Sequence, residues 1–249
     1  MKNIRTIIIT ILCAVSMTAT AQGEKVWNKP YIDLRTLHFG VLVGMHAQDM
    51  DFTNVGIQTI TAEDGTTSDK LITCDQDSWD LGFTVGVLGE LRLSEAFAFR
   101  LAPTMYFGTR HLTFHNLTDT QADGSPTEET EELKTVYISA ACEFIYGSKR
   151  HNNYRPYLMV GLNPMFNLGG KDTDIVKTKS YDCFFEIGIG CDLYLPFFKL
   201  RPELKFMYSL VNSLDGDHAN ELKDENLKMY ATSVSDAHAK MICLTFYFE

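Results

Sequence analysis

Beyond residue 21 this chain contains no apolar run of about 20 residues, yet eight of its segments alternate apolar and polar side chains with a period of two. Residues 197–206, FFKLRPELKF, show the pattern at its sharpest. Phe198, Leu200, Pro202, Leu204 and Phe206 share one face of a strand, and Lys199, Arg201, Glu203 and Lys205 share the other. The other seven are 38–48, 79–93, 97 to about 114, about 134–146, about 154–168, 181–195 and about 238–249. In 79–93, Trp79, Leu81, Phe83, Val85, Val87, Leu91 and Leu93 oppose Asp80, Gly82, Thr84, Gly86, Glu90 and Arg92. In 238–249, Ile242, Leu244, Phe246 and Phe248 oppose Cys243, Thr245, Tyr247 and Glu249. The phase slips after Thr109, which implies either a bulge or a strand leaving an apolar layer.

Connection lengths alternate as well. Short turns lie near Ser94-Glu95, from Gly147 to Asn153, and at Pro196, whereas long polar connections occupy roughly 49–78, 115–133, 169–180 and 211–237. Long apolar faces, short turns on one side and long loops on the other describe an eight-stranded antiparallel up-and-down β-barrel of the outer-membrane type, apolar outside and polar within. A secreted β-sandwich would also alternate, but it would not place glycine and charge together on one face of nearly every strand. The inward phase collects Asp80, Glu90, Glu143, Asp182, Glu186, Asp192 and Glu203 against Arg92, Arg100, Arg155, Lys199, Arg201 and Lys205. We expect these to form a structural charge network, since an unpaired buried charge costs several kcal/mol.

Lys2 and Arg5, the apolar run from Thr6 to Met17 and Ala19-Thr20-Ala21 have the layout of a cleaved signal peptide over 1–21. The expected organisation is then a short periplasmic segment at 22–36 and a barrel at 37–249. The net charge of −10 would fall by two to about −12 on cleavage, which disfavours nucleic acid as a partner. The acid gathers in the long connections, at Glu128, Glu129, Glu131 and Glu132 and again at Asp215, Asp217, Glu221, Asp224 and Glu225, and reads as solvated exterior. Five cysteines remain: Cys74, Cys142, Cys183, Cys191 and Cys243. Cys183 and Cys191 share a strand roughly 26 Å apart, too far to pair, and no Cys/His spacing suggests a metal.

An eight-stranded interior is just filled by side chains, so an open pore is not expected. His38 and His46 face inward, and His111 and His115 lie toward the long-loop rim, but no spacing selects a nucleophile beside them. No P-loop, HExxH, GxSxG or dinucleotide fingerprint is present, so neither catalytic residues nor a cofactor are assigned.

The runs KPYIDLRTLHFGVLVGMHAQDMDF, LGELRLSEAFAFRLAPTMYFGTRHLTF, YRPYLMVGLNPMFNL, EIGIGCDLYLPFFKLRPELKF and the terminal MICLTFYFE resemble the PorT (SprT) family of outer-membrane β-barrels. That resemblance implies a non-enzymatic component or assembly factor of the type IX secretion and gliding machinery, in contact with outer-membrane lipid and with other secretion proteins. Two alternatives from other classes stay open: a lipid-modifying barrel enzyme, and a structural or adhesion barrel presenting acidic loops.

Overall fold

The computed structural model describes residues 27–61, 67–120, 126–169, 174–216, 218–220, 222 and 225–249. The signal-peptide reading over 1–21, and Asp217, Glu221 and Asp224, lie outside them. Among the described residues ten strands form: β1 Leu37–Asn54, β2 Ile57–Thr61, β3 Thr67–Asp75, β4 Asp80–Arg92, β5 Phe97–Thr120, β6 Pro126–Gly147, β7 Tyr154–Asn167, β8 Tyr181–Tyr194, β9 Lys199–Ser209 and β10 Val234–Phe248. Antiparallel pairing runs β1–β4–β5–β6–β7–β8–β9–β10 and returns from β10 to β1, so eight strands close into a barrel. Closure leaves no open edge in lipid, where an unpaired backbone group finds no water.

The alternation places its apolar face outward. Phe39, Leu81, Phe83, Val87, Phe144, Leu158, Ile187 and Leu204 are all exposed on the wall. Aromatic pairs bracket this band. Phe97–Tyr146 and Phe198–Phe248 sit at the short-turn end, with ring centroids 5.1 and 5.9 Å apart, and Phe83–Phe107 and Phe166–Tyr181 at the other, at 4.8 and 5.4 Å. Such girdles flank an apolar band roughly 25 Å tall in outer-membrane barrels. Glycine is required where two strands' side chains meet inside. A Cβ on Gly82 would stand 2.5 Å from the His46 ring nitrogen, and one on Gly190 would collide with the Tyr157 ring.

Above the band the wall differs from the expected picture of long, solvated loops. β5 and β6 continue as a tall hairpin with unbroken register from Phe97↔Tyr146 to Asn116↔Thr127, so no bulge explains the phase slip after Thr109. Leu112 and Phe114 keep the inward phase, and His111 and His115 keep the outward one. What changes is the chemistry: past the lipid the outer face meets water, so polar residues turn outward and apolar ones inward. The 49–78 connection also contains structure. β3 pairs with β5 above the end of β4, through Ile72↔Asn116 and Asp75↔Thr113, and β2 pairs with β3. A short helix α1, Glu225–Ala231, packs nearby.

Candidate functional site: two levels of the barrel interior

The interior divides by height. At the short-turn end Arg100, fully buried, donates from Nη1 to Glu143 at 3.0 Å and to Glu203 at 2.8 Å, and from Nε to Glu90 at 3.3 Å. Arg201 reaches Glu90 at 2.6 Å, Asp192 at 2.6 Å and Glu249 at 2.5 Å. Lys205 lies 3.2 Å from Glu143 and 3.3 Å from Glu186, and Lys199 lies 2.5 Å from Glu249. Tyr157 and Tyr247 each donate a hydroxyl to Glu203 at 2.8 Å, and the Arg100 guanidinium stands 4.4 Å above the Tyr247 ring centre. His38 adds a contact to Glu249 at 3.4 Å. Every barrel strand thus sends at least one side chain into or beside this hub. β9 alone supplies Lys199, Arg201, Glu203 and Lys205.

Four residues assigned to the lumen by phase stand apart from the hub. Asp80 is at the far end of β4, where its carboxylate accepts from the His111 backbone N–H at 2.7 Å and from Gln76 at 3.1 Å. Asp182 is buried at the outer level and accepts from the Ser209 and Ser213 hydroxyls at 2.6 and 2.5 Å. Arg92 donates to the Ser94 carbonyl, and Arg155 clamps the short turns by donating to the Ser148 and Glu95 carbonyls. Period-two phase says which face a residue occupies; it says nothing of height along the barrel axis, and these four sit at strand ends. Conversely Glu249 belongs to the hub although the charge count omitted it. Its inward position on the last strand was the available signal.

The outer level is apolar. Met50, Ile72, Leu112, Phe114, Met207, Met241 and Cys243 from the strands form one buried cluster with Ile175, Val176, Leu214 and Tyr230 from the connections. Phe114 and Tyr230 meet edge to face at 5.5 Å. Glu131, read from sequence as solvated, points inward and its carboxylate accepts the backbone N–H groups of Ile175 at 2.5 Å and Val176 at 3.2 Å. This pins the connection across the mouth. Above the apolar band the outer wall carries two histidines flanked by acid: His111 Nδ1 is 2.8 Å from Asp80 and Nε2 3.6 Å from Glu132, and His115 lies 3.3 Å from Glu128 and 3.9 Å from Asp77. His46 is buried against Tyr106, at 5.5 Å between ring centres. Among the described residues no cluster of three or more His, Cys, Asp or Glu could hold a metal.

The short-turn end is covered by the N-terminal segment. Arg150 on the β6–β7 turn donates to the Lys29 and Asn28 carbonyls, stands 3.6 Å from the Tyr194 ring centre and 5.2 Å from that of Trp27. Tyr194 donates its hydroxyl to Asp33 at 2.7 Å.

A family model described as the outer membrane protein beta-barrel domain matches residues 20–215, most of the chain. The protein belongs to this family. It is therefore an outer-membrane β-barrel protein of a bacterium. No curated protein matches the sequence. Among solved structures, it is similar to Neisserial surface protein A at 12% identity, over 86% of this chain and 98% of that one, with a TM-score of 0.38. It is also similar to the outer membrane protein OprG of Pseudomonas aeruginosa at 11% identity, over 84% and 91%, with a TM-score of 0.43. A third is Ail, the attachment invasion locus protein of Yersinia pestis, at 9% identity, over 84% and 96%, with a TM-score of 0.37.

Proposed function

We propose that this protein is a non-enzymatic component or assembly factor of a type IX secretion apparatus, acting in the export of other proteins across the outer membrane. The observation that carries the reading is that the interior is occupied at both levels, by the Arg100 hub and by the apolar cluster around Phe114. An occupied lumen leaves work to the surfaces: the raised β5–β6 wall, the covered mouth and the lipid-facing side. The resemblance of the strand sequences to PorT-type barrels supplies the secretion context, and the rim histidines, each held between two carboxylates, supply no nucleophile.

The test is deletion of the gene in the source bacterium followed by a census of secreted proteins. Loss of a set of exported proteins, restored by the intact gene, is the expected result. Unchanged export rejects the secretion role, and unchanged export with altered lipid A moves the assignment to a lipid-modifying enzyme.

A further inference from the structure

The lipid-facing wall is not evenly convex. Outward positions of adjacent strands line up in rungs, and one rung near the short-turn end runs through Pro156 on β7, Cys191 on β8 and Pro202 on β9, three short side chains in a row, before Phe246 on β10. The next rung is Leu158↔Ile189↔Leu204↔Leu244. Short residues beneath a ridge of long ones make a groove of about 650 Å³.

Backbone pairing deepens it. Lys199 exchanges both backbone hydrogen bonds with Glu249, so odd positions of β9 turn toward β10 and even positions, Pro202 among them, turn toward β8. Proline brings no N–H to that side, and the β8–β9 ladder lapses between Gly190↔Glu203 and Leu193↔Leu200. Where the ladder lapses, the inward residues Tyr157 and Glu203 line part of the groove.

We infer that this groove is a binding site for a phospholipid of the periplasmic leaflet, with an acyl chain lying along the Pro156–Cys191–Pro202 rung. Depth within the apolar band makes hydrocarbon the surrounding solvent. Toward the short turns the groove is polar: Ser148 lines it, and the next residue, Lys149, is exposed. The nearby cations Arg150 and Arg155 already serve backbone carbonyls, which makes the exposed Lys149 the candidate among the described residues of this turn for a phosphate. A polar, cationic end on an apolar trough matches a phospholipid better than a second copy of the same wall, which would bring a second lysine to the first.

The experiment uses the full-length protein in vesicles of phosphatidylethanolamine and phosphatidylglycerol carrying a photoactivatable diazirine on one acyl chain, with adducts mapped by peptide mass spectrometry. Adducts on the 156, 191 and 202 rung should exceed those at equal height on β1 and β4 several-fold. Filling the groove with Cys191→Leu should bring them down to the wall average, whereas Cys191→Ser should retain them. Heat-modifiable gel migration certifies that each variant is folded, and the unmodified protein's adduct map decides the matter even if Cys191→Leu does not fold. Equal labelling around the wall overturns the site, as does a Cys191–Cys191 disulfide formed by mild oxidation in native membranes, which would identify a second copy as the occupant. Lys149→Glu should lower the ratio of phosphatidylglycerol to phosphatidylethanolamine adducts, and an unchanged ratio overturns the headgroup assignment.

Discussion

The two levels of the interior lie on the same face of the same strands and are chemically opposite. Around Arg100 the inward residues are ionic, and around Phe114 they are apolar. The difference follows from what lies outside the wall. Where the wall faces lipid, moving a leucine from outside to inside gains nothing, because lipid tails are as apolar as leucine. Geometry-specific pairing is what distinguishes inside from outside there. Above the band the outer face meets water, and burial is favourable by about 25 cal/mol per Å² of apolar surface. One barrel is thus held by two forces, exchanged at about the height of Thr109.

The sharpest way to break the comparison is at the ionic level. Arg100→Met removes the partner of three carboxylates and leaves Glu143 and Glu203 buried without it. Losing one member of a buried pair costs about 3–5 kcal/mol, a large part of the stability of a single domain. The barrel should fail to reach its heat-modifiable form, or unfold at far lower urea. Adding Glu203→Gln should recover part of the loss. Folding as robust as that of the unaltered protein would mean the hub does not hold the strands together.

At the apolar level Phe114→Ala carries a similar nominal penalty, about 3–5 kcal/mol for a buried phenylalanine. The consequence should nevertheless be local. Connections 174–180 and 211–216 should exchange amide hydrogens and admit protease while the membrane band stays protected. Loss of protection in β7 and β8 within the band would show that the two levels melt together. A smaller effect is expected from Glu131→Ala, which strips the acceptor from two backbone N–H groups on the connection. An unsatisfied donor costs about 1–3 kcal/mol, so protease should enter at 174–180 before anywhere else described in the outer level.

This division also explains what the sequence made legible. The eight barrel strands, their outward face and the inward charges of β9 followed from alternation, because a period of two is enforced wherever one side of a strand meets lipid, and closure from alternation joined to the alternating connection lengths; β2 and β3, inside the 49–78 connection, did not follow. Height did not follow. Asp80, Asp182, Arg92 and Arg155 carry the inward phase yet belong to other levels, and nothing in their spacing marks that. The apolar cap was hidden for a different reason. At Leu112 and Phe114 the pattern reverses its chemistry without reversing its phase, which in one dimension looks like a slip. Ile175, Val176 and Leu214 come from connections with no period to read, and Glu131 is disguised by the acid around it.

The smallest effect is expected on the outer wall itself, where His111 stands about half exposed above the apolar band. Its hydrogen bond with Asp80 draws its pKa upward from the usual value, and the charges of Asp80 and Glu132 add to this. A raised folded pKa contributes stability below the unfolded value near 6.5 and loses it as pH rises through the folded value. Water screens the pair, so His111→Ala should change stability by no more than about 0.5 kcal/mol, and only on the acid side. NMR titration of the His111 ring checks the direction of the shift, and urea unfolding at two pH values checks its consequence. A stability loss comparable to that of Glu131→Ala would mean that the outer wall, and not only the cluster inside it, holds the upper level upright.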